Sequence, residues 1–515
     1  MPGRAALEEA WISPRPRSGG LRVAVVYPNS YRVGMPNLGY QVILRAFLED
    51  QRYDARRVFW EGQSLSFPDG GRTLNDFDAV AFSVSYQPDM VHLPRLLETG
   101  KVGLPGSKTR PLIIGGGVAI TINPETSSHL FDIFVLGEAE PVLPALLEEL
   151  VSHTDREALL DGIGQIPGVY IPGRYEHPVP SGSPFLLPHP LPGSPSRIRT
   201  AMLDDISSSP ARPAVLSSAA EFGDLYMLEV SRGCPAGCFF CAAGSVCGPV
   251  RFLQMEPFIR EAEKGLLYRK TVGLVGTAVS YHPQLEEMGH YLIEQGGSFS
   301  PSSIRAEKVT PGLADLLVRA KHRTVSLAPE AGTEKLRNSI GKGLSDEQFL
   351  ERTAILLEAG IANLKLYFMV GLPGEKDSDV AGIVDLVKRL REGMIRHGRP
   401  RGRVGTITVS VNPFVPKPRT VFERVPIAQE TVLKERMRTI RTGLGPVGGV
   451  RVQTGSVRGA FLDALLSLGD RSVADVLDKL PAGGVSVKRL AMMLPTAERI
   501  LYGRESGELP WSFIK

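Results

Sequence analysis

Ser231-Arg232-Gly233-Cys234-Pro235-Ala236-Gly237-Cys238-Phe239-Phe240-Cys241-Ala242-Ala243-Gly244-Ser245-Val246-Cys247 holds every cysteine of a 515-residue chain. Three of the four follow the spacing C-x3-C-x2-C, directly after the run 226–230, which reads as a strand. Thiols at that spacing in one loop can converge on a single iron–sulfur cubane and leave its fourth iron without a protein ligand, open to a substrate or cofactor. The alternative is a structural zinc site that recruits Cys247, although zinc sites usually bring two C-x2-C-like pairs from separate arms.

Downstream of this loop strand and helix alternate. Strands are expected at 226–230, 272–276, 324–328, 363–370 and 405–412, and helices near 256–268, 284–295, 311–321, 345–359 and 377–393. That rhythm predicts a parallel sheet, and in catalytic barrels of this kind the working residues sit at the C-terminal ends of the strands. Four such ends are polar or glycine-rich: Val275-Gly276-Thr277, the stretch from Ser326 to Glu334, the stretch from Tyr367 to Glu375, and the stretch from Asn412 to Pro418.

Upstream, residues 164–222 are crowded with proline, glycine and serine and read as a long extended linker. Before it a second α/β unit appears. Its strands are expected at 22–27, 58–60, 79–84, 111–114 (running into Gly115-Gly116-Gly117) and 133–136, with helices at 38–50 and 142–151. The division expected is a flexible tail at 1–20, a Rossmann-like domain at 21–155, a linker at 156–222, an α/β barrel at 223–425 and a small, mainly helical region at 426–515.

Composition bounds the class. Hydrophobic residues at 43% and charged residues at 22% are ordinary for a globular protein, and no apolar run approaches the roughly 18 residues of a membrane span. The first residues lack the apolar core of a signal peptide, and four cysteines cannot build a secreted disulfide framework, so a cytoplasmic location is expected. A net charge of +4 supports neither nucleic-acid nor membrane binding.

The segment from Cys234 to Cys241, with an aromatic residue before its last cysteine, resembles the signature of the radical S-adenosylmethionine (SAM) superfamily. The resemblance implies a partial (β/α)6 barrel in which Cys234, Cys238 and Cys241 hold a [4Fe-4S] cluster. The open iron would chelate the amino and carboxylate groups of SAM, and one electron, from a reductant such as flavodoxin or ferredoxin, would release a 5′-deoxyadenosyl radical. By the same resemblance Phe240 lies beside the adenine. Gly276 and Thr277 stand where the superfamily contacts the methionine moiety, without its usual acidic residue. Ser326 and Glu330 resemble the ribose-contacting fourth strand of the methylthiotransferase-like branch, Gly371 and Leu372 the fifth-strand adenine motif, and Asn412-Pro413 the sixth.

Across residues 22–425 the chain resembles a family that fuses a cobalamin-binding-like domain to a radical SAM domain. Ser83, Gly115, Gly116 and Gly117 then fall where that domain admits the corrin and its nucleotide tail. One departure stands out: the loop after the first strand reads Asn29-Ser30-Tyr31-Arg32-Val33-Gly34-Met35, with no histidine to ligate cobalt. Two readings follow, a base-off cobalamin without a protein ligand and a domain that only positions substrate.

The resemblance leaves the substrate open and sets three functions side by side: cobalamin-dependent methylation, a methylthiotransferase-like or other radical modification, and a non-catalytic iron–sulfur scaffold. The first domain has no cysteine for an auxiliary cluster, which counts against sulfur insertion. Lesser features read blandly: Cys247 as a small buried residue rather than a reacting thiol, Lys434, Arg438 and Arg441 as a solvated helix face rather than an anion site, and His282 as a surface residue.

Overall fold

The computed structural model describes residues 8–103, 110–180, 183–504 and 506–515; residues 1–7 of the expected tail lie outside the described residues. The first sheet contains β1 (Leu21–Tyr27), β2 (Tyr53–Trp60), β3 (Ala79–Ser83), β4 (Leu112–Gly116) and β5 (Ile133–Val135), parallel and in the order 2-1-3-4-5. Residues 23–27 of β1 are all buried, as expected of a strand covered on both faces by helices. In an open sheet of this order the chain leaves β1 and β3 in opposite directions, and ligands gather outside their C-terminal ends. The helix Leu38–Glu49 starts at that point. Its cap Asn37 accepts a hydrogen bond from the Tyr40 amide at 2.9 Å and donates to Ser85 Oγ at 3.1 Å, so one side chain ties the β1 exit to the β3 exit.

The tail and the linker are more ordered than composition suggests. A further strand, β6 (Val169–Tyr170), adds antiparallel to β5, so the first sheet runs past residue 155. Within 156–222 there is also the helix Arg156–Ile163, and Val215–Ser217 pairs antiparallel with Glu9–Trp11 from the expected tail. The cause is a buried cation. Arg57, 1% exposed, donates to Asp69 and to both carboxylate oxygens of Glu9 at 2.8 and 2.9 Å, under the Trp11 ring. A guanidinium at that depth needs its counter-ions, which pins the tail.

The second unit is an arc of seven parallel strands: β7 (Leu225–Arg232), β8 (Thr271–Gly276) and β9 (Ser298–Pro301), then β10 (Thr324–Glu330), β11 (Asn363–Val370), β12 (Ile407–Pro413) and β13 (Val450–Thr454). The ladder breaks between β9 and β10. There the Ile304 amide donates to the Ser326 carbonyl at 3.3 Å and His322 Nε2 to the Phe299 carbonyl at 2.6 Å. Along β11 Leu364, Leu366, Phe368 and Val370 are buried under the helices, while Lys365, Tyr367 and Met369 alternate onto the inner face of the arc. The strand β13 lies inside the region expected to be helical, and the rest of that region is mainly helical: Glu430–Leu444 before it and Val457–Leu468, Val487–Met493 and Ala497–Tyr502 after it. This region docks on the first domain, with Asn123 Nδ2 donating to the carbonyls of Ser467 and Gly469 at 3.0 and 2.8 Å. Among the described residues no helix is long and apolar enough to cross a membrane.

Candidate active site at the barrel mouth

The cysteine loop leaves the C-terminal end of β7 through Gly233, whose φ of +77° and 2.4 Å approach of a Cβ position to the Pro249 carbonyl restrict it to glycine. The loop is pinned by the Phe239 amide, which donates to the Ile340 carbonyl at 3.0 Å. Cys234 and Cys238 are half-buried, Cys241 is exposed, and all three thiols are free. Cys238 Sγ accepts from Arg305 Nη1 at 3.3 Å. Among the described residues no group of three or more His, Cys, Asp or Glu side chains is arranged to hold a metal ion. The donor chemistry still fits an iron–sulfur cluster: three uncommitted thiols at cluster spacing, one of them met by a guanidinium that favours a thiolate.

Around the loop stand several of the residues expected from sequence. Phe240 packs on an apolar patch that includes Leu372, Phe414 and Met369, so the aromatic residue and the β11 exit meet. Glu330 ends β10 after a break in register and has a φ of +71°, a strained conformation for a residue with a side chain. Desolvation raises its carboxyl above the usual range, and Lys342 Nζ, 3.4 Å away, partly offsets this. Gly371, φ +85°, turns the chain at the end of β11. Its amide donates to Glu375 Oε2 at 2.6 Å, and Arg436 clamps the same carboxyl, which burial lifts to about 7. Ser326 lies four residues before Glu330, within β10, where its carbonyl closes the seam; it is not gathered with the others at the mouth.

Gly276 and Thr277 face the other side. A Cβ on Gly276 would stand 2.2 Å from Ser231 Oγ, and Thr277 Oγ1 donates to the Gly233 carbonyl at 2.5 Å, which locks the β7 and β8 exits together. Both residues line a cavity of about 500 Å³ between the two sheets. Its far wall holds Ser83, Ser85, Gly117 and Asn37, at the exits of β1, β3 and β4. Gly115 and Gly116 line a separate apolar slot of about 40 Å³, room for a few waters. Gly115 and Gly117 are required by packing: a side chain would strike the Phe134 and Phe131 rings at the first and the Val84 carbonyl at the second. The loop Asn29 to Met35 is spent on packing, with Tyr31 donating to Glu9 at 2.5 Å and Met35 buried against Arg57; it contributes nothing to the cavity lining.

The cavity wall is charged. Arg232, two residues before Cys234, is bound by Glu229 at 2.6 Å, Glu140 at 2.8 Å and Glu138 at 3.0 Å, and Arg251 holds Glu138 from behind at 2.7 Å. Cys247 lines the same cavity, away from the other three cysteines, and desolvation followed by Glu138 pushes its thiol up to about 11. His282, expected at the surface, is buried, with Nε2 on the Leu253 carbonyl at 2.9 Å and Nδ1 accepting from the Gln284 amide. Lys434 and Arg438 pair with Glu430 and Glu435 on an exposed helix face. Sequence reasoning missed Arg305, Lys342, Arg232 and Glu138. The first two follow strands or turns without a motif, and the last two find each other only across the domain interface.

Residues 228–387, which contain the cysteine loop and the strand ends around it, match the family model described as Radical SAM superfamily. That segment is a radical SAM superfamily domain. Residues 41–172 match a second model, Radical SAM proteins, N-terminal, so the first domain is also of a kind found in these proteins. An uncharacterized protein of Methanocaldococcus jannaschii, MJ0966, is 26% identical over 460 residues, 88% of this chain and 90% of that one. The ribosomal protein uS12 methylthiotransferase RimO of Pelotomaculum thermopropionicum is 25% identical over 344 residues, 62% of this chain and 71% of that one. Among solved structures, the cobalamin-dependent SAM radical enzyme OxsB, with aquacobalamin and SAM bound, superposes with a TM-score of 0.49 at 15% identity, over 72% of this chain and 52% of that one. The chain thus spans about half the length of that solved protein. A domain of this superfamily implies an enzyme that uses SAM together with a [4Fe-4S] cluster.

Proposed function

We propose that Cys234, Cys238 and Cys241 hold the [4Fe-4S] cluster, and that the enzyme directs radical chemistry at a substrate in the cavity between its two sheets. The observation that carries this reading is the position of that cavity: Gly276 and Thr277 of the barrel mouth and Ser83 and Gly117 of the first domain share one wall-to-wall space. Bound at the mouth, cluster and SAM supply a 5′-deoxyadenosyl radical. The chain's own part is to hold and shield. Glu330 offers a carboxylate at the ribose position, Phe240 and Leu372 give the adenine an apolar seat, and the cavity walls limit water around the reacting atoms.

Two measurements test it. Reduced, reconstituted enzyme is expected to convert SAM to 5′-deoxyadenosine, and Glu330→Ala to weaken SAM binding on the order of tenfold, the loss of a hydrogen bond to a charged group. A fully loaded, reduced cluster that yields neither 5′-deoxyadenosine nor S-adenosylhomocysteine rejects the reading.

Cobalamin is a second reading, favoured by the cavity's place at the switch point of the 2-1-3-4-5 sheet, where Ser83 and Gly117 face it. The slot beside Gly115 and Gly116 is too small for a nucleotide tail as it stands. With cobalamin supplied during anaerobic expression, the expected result is a base-off cobalt signal without nitrogen splitting from a protein histidine, since the loop from Asn29 to Met35 has none. Purification without corrin leaves the first domain as a substrate-positioning module. Sulfur insertion is disfavoured because all four cysteines lie between Cys234 and Cys247, with none left for a second cluster.

A further inference from the structure

The loop after β9 carries no motif, yet one of its side chains reaches a sulfur of the cysteine loop. Arg305 Nη1 points at Cys238 Sγ, 3.3 Å away, and is the one side-chain donor to any of the three sulfurs among the described hydrogen bonds. The guanidinium is not free to wander. Its Nε is held by Glu307 Oε1, its plane lies 5.7 Å from the Tyr281 ring centroid, and its own amide donates to Ser280 Oγ at 3.2 Å. Tyr281 in turn donates to Glu307 Oε1 at 3.2 Å, and Lys308 Nζ covers the same ring at 4.6 Å. Arg305 is half-buried and Glu307 balances part of its charge, so the fork is preorganised rather than a solvated side chain that happens to reach the loop.

We infer that Arg305 is a positioning residue for the cluster: it orients the Cys238 thiolate and raises the potential at which the cluster takes up its electron. This rests on the assignment of Cys238 as a cluster ligand. The physical argument is direct. Reduction adds one negative charge to the cluster. A fixed guanidinium at one ligand sulfur stabilises the more negative state more than the less negative one, and hydrogen bonds to the sulfurs are an established lever on such potentials. Loss of one charge-assisted hydrogen bond shifts an equilibrium by roughly a power of ten.

The test is a redox titration of the reconstituted full-length protein without SAM, followed by electron paramagnetic resonance, with iron content measured on the same samples. Arg305→Gln is expected to keep its iron and become about tenfold harder to reduce, which for a one-electron couple is about 59 mV lower. Arg305→Lys, which keeps the charge without the fork, is expected to fall between Gln and wild type. A wild-type midpoint in an iron-replete Arg305→Gln protein overturns the inference, even if SAM binding is weakened, because Arg305 would then serve the cofactor's carboxylate and not the cluster. Should Arg305→Gln fail to fold, an unchanged midpoint in Arg305→Lys overturns it equally. A wild-type protein that takes up no cluster rejects the cysteine assignment itself, and this inference falls with it.

Discussion

Alanine at Cys234, Cys238 and Cys241 together is expected to abolish iron–sulfur absorbance and all reductive cleavage of SAM, whereas Cys247→Ala keeps wild-type iron. The two outcomes separate because the four cysteines occupy two places. The first three belong to the loop that exits β7, with Arg305 on one sulfur and Glu330 nearby. Cys247 stands in the cavity between the sheets, where desolvation followed by Glu138 pushes its thiol up to about 11. Loss of iron from a triple variant that still folds is therefore the expected outcome. Iron analysis alongside a thermal melt decides the matter. Iron lost from Cys247→Ala alone, or zinc recovered in place of iron, would revive the four-cysteine site.

Much of this arrangement could be read from the sequence wherever one residue type had one physical use. The largely buried strands β1, β3 and β4 announced themselves as apolar runs, and β11 occupies the residues 363–370 expected of it. The strand β9 was missed because Ser298-Phe299-Ser300-Pro301 has a single buried apolar residue and ends in proline. The strand β13 was missed because it forms the edge of the arc and is largely exposed, which leaves no hydrophobic signal. The tail and linker misled for a different reason. Proline and serine content describes local stiffness, whereas Glu9–Trp11 is held by a buried Arg57 some 48 residues later in the chain. The site divides in the same way. Phe240, Leu372 and Glu330 lie in motifs and meet at the mouth, while Ser326 lies in a motif and serves the sheet. The glycine run Gly115-Gly116-Gly117 was read as room for a bulky tail, yet two of the three are demanded by Phe134 and by the Val84 carbonyl.

A large stability effect is expected at Arg232, whose partners on the first domain no local pattern could have revealed. It satisfies Glu229 on its own strand and Glu138 and Glu140 on the first domain, all with side chains about a tenth exposed. Arg232→Met keeps much of the volume and removes the only cation that touches Glu229 and Glu140 among the described ion pairs, so the expected loss is about 3–5 kcal/mol at neutral pH, the cost of stranding buried charge. The pH dependence gives the test its direction. Desolvation already raises the Glu229 carboxyl, and Arg232 is what pulls it back down. Without Arg232 the folded-state value rises further above the unfolded one, so stability is retained below the unfolded carboxylate range near about 4.3 and lost as pH climbs through the folded value. The deficit of the variant, read from urea midpoints of the apoprotein, is therefore expected to be large at pH 8 and to shrink toward pH 5. A deficit that stays below about 1 kcal/mol, or that grows on acidification, would show that the three carboxylates find other partners and that Arg232 is not what fastens the cysteine loop's strand to the first domain.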